Sequence, residues 1–214
     1  MQSDLQLIRR YALTRDADVF SELVQRYAGM VYAVARRSTG SSADAQDISQ
    51  ICFLELARKA DSISGSVAVW LHAVAARRAI DAARNRDTRR RHERAAARPP
   101  EPPDHAHDQE SFDEIIAQVD SALAELPEQE RAPIIEHYLR GRTQAELAAE
   151  MGVNQSTISR TLRDGIEHLR QILADRGVAA PALALPAALA RGTNEAAPPT
   201  LIAALKKQIG RAHV

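Results

Sequence analysis

Cysteine, aromatic residues and long apolar runs are scarce in this sequence. Of 214 residues one is cysteine, 9 are glycine and 4% are aromatic. The lone thiol, Cys52, has no partner for an intrachain disulfide. It sits among Ile48, Ile51 and Leu56, which marks a small core residue rather than a reactive nucleophile. No apolar run reaches the ~20 residues of a bilayer span, so no membrane association is expected. Arg9, Arg10, Arg15 and Asp16 interrupt the N-terminus where a secretory signal would carry its apolar core. With the single thiol, that points to a cytoplasmic, reducing location. Nor is there a glycine-rich phosphate loop, or a pair of carboxylates set for acid–base work, so no catalytic residue and no cofactor are expected. The short run "DHAHD" (104–108) offers two histidines and two aspartates. It is flanked by prolines and has no second ligand cluster, which favours a solvated linker with no metal.

Charge is abundant but segregated. The formal net charge is zero, with 28 basic and 28 acidic residues. Residues 1–98 hold 17 Lys/Arg against 11 Asp/Glu, whereas 99–130 hold 10 acids and no base. The chain therefore has a basic N-terminal body followed by an acidic stretch, and the total conceals both.

The apolar pattern is helical almost throughout, with no sustained alternation of the strand type. Ser3 caps a first helix with Leu5 and Ile8 inward. Asp16 opens a longer one carrying Phe20, Leu23, Val24, Tyr27, Val31 and Val34, ended by Gly40. A third helix spans about 43–59, and a fourth starts near Ser66 with Val67, Trp70, Leu71 and Val74 inward. "ARPPEPPDHAHDQE" then reads as a flexible acidic, proline-rich linker. Order resumes at Ser111, which has capping-box spacing to Glu114, with Phe112, Ile115, Ile116, Val119 and Leu123 on one face. Pro127 suits a first turn, and Pro133 should kink or delay the helix that follows. The expected fold is all-α: two small helical domains joined by that linker, the second containing a helix-turn-helix. The expected boundaries are 1–94, linker 95–110, 111–176, and an Ala/Pro-rich extension 177–214.

The helix-turn-helix is carried by "TQAELAAEMGVNQSTISRTL" (143–162). Thr143 and Glu146 form a capping box, with Leu147, Ala148 and Met151 expected inward. Small Ala148 lets a second helix approach, Gly152 permits a left-handed corner, and Asn154 suits the next N-cap. In that second helix Ile158, Leu162, Ile166 and Leu169 share one side, while Ser156, Arg160, Arg163 and Glu167 fall opposite, flanked by Thr157 and Ser159. Hydroxyls at the start followed by two arginines suit a helix entering a major groove, where Arg grips guanine through two hydrogen bonds. The competing reading is a helical hairpin with a solvated polar face. Agreement of caps, small residue, glycine and apolar spacing favours the DNA reader.

The N-terminal body carries further signals. In "ADAQDISQICFLELARK" apolar residues almost encircle the third helix, because Phe53 and Leu54 point away from Ile48 and Cys52. Such a helix is either buried or offers a face to a partner. The fourth helix bears Arg77, Arg78, Arg84, Arg86, Arg89, Arg90, Arg91 and Arg94. Beside a DNA-reading module, phosphate neutralisation is the better reading of this run than a merely solvated face. Trp70 is either core or part of a surface for unstacked bases.

At these residues the chain resembles a bacterial sigma-70 family factor of the extracytoplasmic-function type. The resemblance runs from Asp4 to Leu173 through "DVFSELVQRYAGMVYAVARR", "DAQDISQICFLELARK", "VWLHAVAARRAIDAAR" and "LPEQERAPIIEHYLRGRTQAELAAEMGVNQSTISRTLRDGIEHLR". It implies an alternative sigma factor that joins core RNA polymerase, directs it to promoters and helps open the strands. Asp47, Gln50 and Phe53 match the segment that docks on the β′ clamp helices. Asp61, Ile63 and Ser64 match the loop that captures an unstacked minus-ten base, and Trp70, Arg77, Arg78 and Arg84 would hold the opened strand. Arg77 stands where such factors often carry asparagine. Gln155, Ser156, Thr157, Ser159, Arg160 and Arg163 would read the minus-35 element while their domain packs on the β flap. The linker would thread the RNA-exit path, and an anti-sigma factor regulates many, though not all, such proteins.

The tail from Pro181 reads as mostly flexible, with Thr200 capping a short helix of Leu201, Ile202, Leu205 and Ile209 and Gly210 ending it. Whether it docks on its own domain, on a regulator or on nothing stays open. Two rivals stand beside the sigma reading: a one-component helix-turn-helix regulator, and a DNA-acting enzyme such as a recombinase. The recombinase lacks the nucleophilic Ser or Tyr among arginines that its chemistry needs.

Overall fold

The computed structural model describes residues 3–96, 118–178, 184–190 and 197–211, with backbone alone for 87, 89–96, 184, 206 and 208–211. The linker run at 97–110, "DHAHD" included, lies outside the described residues. So do the Ser111–Glu114 capping box, Phe112, Ile115 and Ile116. Every regular element among the described residues is helical.

The first domain is built from four helices. Helix α1 (Asp4–Thr14) begins with the expected box: Ser3 accepts from Gln6 N–H, and the Gln6 side chain returns to Ser3 N–H. Helix α2 (Ala17–Thr39) is capped by Asp16 and ends at Gly40, whose φ of 65° lets the chain turn. Its inner residues Phe20, Leu23, Val24, Tyr27, Val31 and Val34 are fully buried. Helix α3 (Ser42–Arg58) follows an Ser41 cap. A 3₁₀ turn at Ala60–Ser62 then leads to α4 (Val67–Ala96), which Ser66 caps by accepting from Val69 N–H. Helices α3 and α4 pack on α2, so α2 is the axis of this bundle.

The second domain starts at helical residues 118–123 (α5), where Val119 and Leu123 are buried as expected. Helix α6 (Glu128–Ile134) takes Pro127 as its N-cap, one position ahead of the first turn. The chain does not wait for Pro133; it runs through it and widens into a π-turn over Ile135–Leu139. Pro133 offers no N–H to the preceding turn, and the wide turn follows directly. Helices α7 (Gln144–Met151) and α8 (Gln155–Asp175) complete the domain.

The tail differs from expectation. Residues Ala184–Ala190 form a short helix, α9, inside the run read as flexible. Helix α10 (Pro199–Arg211) starts at a proline, so Thr200 lies within it rather than capping it, and Gly210 lies inside rather than ending it. Leu201 and Leu205 are buried, and α10 docks on α2 and α3 of its own chain. The two domains also pack on each other and share one apolar core.

Candidate nucleic-acid interface

The helix-turn-helix forms as its local chemistry dictates. Thr143 accepts from Glu146 N–H, while the Glu146 carboxylate accepts the Thr143 N–H at 2.8 Å. Gly152 turns the corner at φ 66°. Asn154 occupies the N-cap of α8 without a side-chain cap bond. Ile158, Leu162, Ile166 and Leu169 are buried. Gly165 has a tight fit beside α6: a Cβ there would stand 2.9 Å from Ile134 Cδ1. One expectation fails. Met151 is 54% exposed, because the turn at Gly152 starts before its side chain can reach the core.

The opposite face of α8 is open. Gln155, Ser156, Ser159, Arg160 and Arg163 are exposed and Thr157 is half-buried. Arg163 leans on its neighbour Asp164 at 3.1 Å, a solvated pair worth little. Among the described residues, the Arg160 side chain makes no hydrogen bond or ion pair. Two guanidinium groups and a row of hydroxyls therefore project from one exposed helix face, at whose edge Ser159 and Arg163 line a pocket with Tyr138, Gln144 and Pro186.

In the first domain a pocket lies over the 61–66 loop, lined by Ser62, Ser64, Ser66 and half-buried Trp70. Trp70 packs against the core and also lines this pocket. Asp61 and Ser64 are exposed, whereas Ile63 is 6% exposed and anchors the loop from below. The far wall of the pocket comes from the second domain, as Glu128 and Arg131.

The arginines of α4 are less free than a solvated stripe would be. Arg78 donates two hydrogen bonds to the Glu55 carboxylate of α3, and Arg77 Nη2 lies 3.7 Å from the same group. Arg84 is exposed, and Arg86 approaches Asp44 at 3.8 Å.

Helix α3 requires a correction. Phe53 is 1% exposed and meets Phe20 edge-on, ring centroids 6.4 Å apart. Its side chain belongs to the core and presents no surface to a partner. The exposed face of α3 instead carries Asp47 and Ile51, the latter 39% exposed, with Gln50 beside them at intermediate burial. Cys52 is fully buried; burial first, and nearby Glu55 second, push its thiol up to about 12, which leaves it inert.

Two ionic clusters join the domains, and the sequence reading missed both. In the first, Asp120 of α5 accepts from Arg37 of α2 (Nη2–Oδ1 2.9 Å) and from His72 Nε2 of α4 (3.2 Å). All three side chains are buried. Burial alone would raise the Asp120 pKa, but the Arg37 charge and the His72 hydrogen bond outweigh it and hold the carboxyl below its usual range. The signal was a charged residue inside the apolar stripe of Val119 and Leu123, and a histidine between Leu71 and Ala75. In the second cluster, Arg140 lies 4.3 Å over the Tyr27 ring and reaches Asp4 at 3.2 Å and Glu136 at 2.7 Å. Burial works upward on Asp4 too, yet bonds from Tyr27 and Arg26 and the charge of Arg140 leave it lowered.

Residues 23–89 match the family model for sigma-70 region 2, and residues 122–171 that for sigma-70 region 4. The ECF RNA polymerase sigma factor RpoE of Cereibacter sphaeroides is 33% identical over 168 residues, 77% of this chain and 92% of the relative. The chain belongs to the extracytoplasmic-function sigma factors. The sigma factor is also similar to SigK of Mycobacterium sp. (strain JLS), 29% identical over 176 residues, 80% of this chain and 91% of that one. A solved structure, CnrH in complex with the cytosolic domain of CnrY, aligns with 18% identity and a TM-score of 0.39, covering 81% of this chain and 99% of that one. As an alternative sigma factor the protein directs RNA polymerase to specific promoters. Among the described residues no helix is long and apolar enough to cross a membrane.

Proposed function

We propose that the promoter is read at two separate sites. The exposed face of α8 reads the minus-35 element, Arg160 and Arg163 gripping base edges while Gln155, Ser156, Thr157 and Ser159 set the register on phosphates and neighbouring bases. The observation that carries this is the open row of hydroxyls and guanidinium groups opposite a buried apolar stripe. The pocket above the 61–66 loop takes one unstacked base of the minus-ten strand, with Trp70 and Ser64 among its lining residues and exposed Asp61 next to it in sequence. Ile63, nearly buried, also lines this pocket. Arg77, Arg78 and Arg84 neutralise the phosphates of the opened strand, Arg77 and Arg78 leaving Glu55 to do so.

Core polymerase meets α3 through Asp47, Gln50 and Ile51, with Ile51 in the part expected of Phe53. In this reading the β′ clamp helices take that face and the β flap takes the second domain, which places the protein with polymerase in the cytoplasm. An anti-sigma factor would compete for these surfaces. The acidic linker mimics RNA charge in the exit path, so reversing its charges should weaken promoter escape.

The test is reconstitution with core polymerase and a promoter library. Specific transcripts are expected, with Trp70→Ala impaired at strand opening and Arg160→Ala at one minus-35 position. Failure to join core, or tight binding of duplex DNA by the chain alone, would favour a one-component regulator.

A further inference from the structure

The two family regions span residues 23–89 and 122–171, so the tail lies beyond both, yet its last helix is built into the first domain. From Met30 to Ala35 every residue of α2 is buried, and that stretch of helix shows no side to solvent. A helix that is apolar all round needs cover all round. Helices α1, α3 and α4 of its own domain supply part of that cover, and α10 packs on α2 and α3 from outside.

Helix α10 has the pattern for this seat. Leu201 and Leu205, one turn apart, are fully buried, and Ile202 packs half-buried against the core. Ala197 is buried just before the helix begins. Pro199, Thr200, Ala203 and Lys207 are exposed, so the helix is amphipathic with a narrow apolar face. Anchors at i and i+4 laid on a two-helix surface are how an amphipathic helix docks in a groove. Asp47 and Ile51 of α3 stay exposed with α10 in place. The tail helix therefore backs α3 without covering those two residues.

We propose that α10 is a fifth helix of the first domain, a docked buttress that holds α3 where Asp47, Gln50 and Ile51 meet core polymerase. The docking rests on the packing of Leu201 and Leu205; its consequence for polymerase rests on the core-binding face proposed above. Tethering to its own chain keeps the helix at high effective concentration, so two leucine anchors suffice to keep the seat filled. Without the buttress, α2 and α3 would bare apolar surface and α3 would lose part of what fixes its position.

The experiment uses full chains: wild type, the double variant Leu201→Asp/Leu205→Asp, the milder Leu205→Ala, and Ile51→Asp as a probe of the polymerase face. Hydrogen exchange of α2 and α3, binding of a labelled peptide of residues 197–211, and affinity for core polymerase are measured. In the double variant, exchange in α2 and α3 should rise, and the peptide should bind about tenfold or more tightly than to wild type. Core affinity should fall about fivefold or more, as the competent arrangement becomes a fraction of the whole. Unlabelled peptide should restore core affinity and a peptide carrying both aspartates should not, a rescue that mere loss of stability does not produce. Leu205→Ala should move each quantity the same way by less, and it decides alone if the double variant does not fold. Unchanged exchange with no peptide binding overturns the docking. Unchanged or higher core affinity once docking is lost, while Ile51→Asp lowers it, overturns the buttress. If Ile51→Asp leaves core affinity unaltered, the polymerase-face reading is what fails, and exchange and peptide binding alone decide whether α10 is docked.

Discussion

The two regions proposed to read DNA in this sigma factor are presented in opposite ways. The face of α8 stands open, with Arg160 unengaged among the described residues and Arg163 held only by a solvated neighbour. The pocket over the 61–66 loop is lined in part by Glu128 and Arg131 of the other domain, and farther along α4 Arg77 and Arg78 pair with Glu55. The first surface is formed within one domain; the second is lined by residues of both. The difference lies in what each helix face buries. The apolar side of α8 is satisfied within its own domain, whereas α2 and α4 still offer Arg37 and His72 to a carboxylate from outside theirs.

The sharpest way to break this asymmetry is at Asp120. Replacing it by Ala removes the buried carboxylate that faces Arg37 and His72, at a cost of about 3–5 kcal/mol. Denaturant unfolding should show that loss, with Asp120→Asn milder because it still accepts a hydrogen bond. Acid should do the same without mutation. Asp120 and Asp4 both have folded-state pKa values below the ordinary carboxylate value, so they bind fewer protons folded than unfolded. Their contribution is present above about pH 4 and is lost as pH falls through the folded values. Asp120 faces Arg37 and His72 of the first domain, and Asp4 faces Arg26 of its own domain and Arg140 of the second, with Tyr27 bonded to Asp4. Cross-linking between the domains should therefore fall below pH 4 before helical circular dichroism does. Simultaneous loss of both signals would show that the knots are not the weak point.

Much of each domain was legible because its determinants are local. Caps at Ser3, Asp16 and Thr143, the turn at Gly152, and the stripe from Ile158 to Leu169 each declare themselves within a few residues. What the sequence hid is non-local. Nothing near Phe53 says that Phe20 will cover it, or that Ile51, one turn of logic away, is left outside. Nothing near Asp120 names Arg37, 83 positions earlier. The tail misled for a related reason. Alanine and proline read as flexible in composition, yet Leu185, Leu189, Leu201 and Leu205 find apolar surface on the rest of the chain.

A second, smaller effect should be confined to the open reader. Arg160→Ala or Arg163→Ala should each cost about 1–3 kcal/mol at a minus-35 site if the side chain grips a base. The loss should be largest at one base pair and should leave interdomain cross-linking unchanged, since neither residue touches the first domain. A loss uniform across sequences, with a shallower salt dependence, would demote the residue to a phosphate contact.

The smallest effect tests whether the open reader is as self-sufficient as its burial suggests. Thr143→Ala removes the hydroxyl that accepts Glu146 N–H and so leaves one donor at the start of α7 unpaired, worth about 0.5–2 kcal/mol. Helix α7 is only 8 residues long and supports α8 through Leu147 and Ala148, so fraying at its start loosens the seat of the recognition helix without touching its DNA face. Binding at the minus-35 element should weaken equally at every base position, unlike the Arg160 result, and strand capture at the minus-ten pocket should not change. A Thr143→Ser variant, which keeps the accepting oxygen, should restore binding. If Thr143→Ala also altered strand capture, the two regions would be coupled rather than independent.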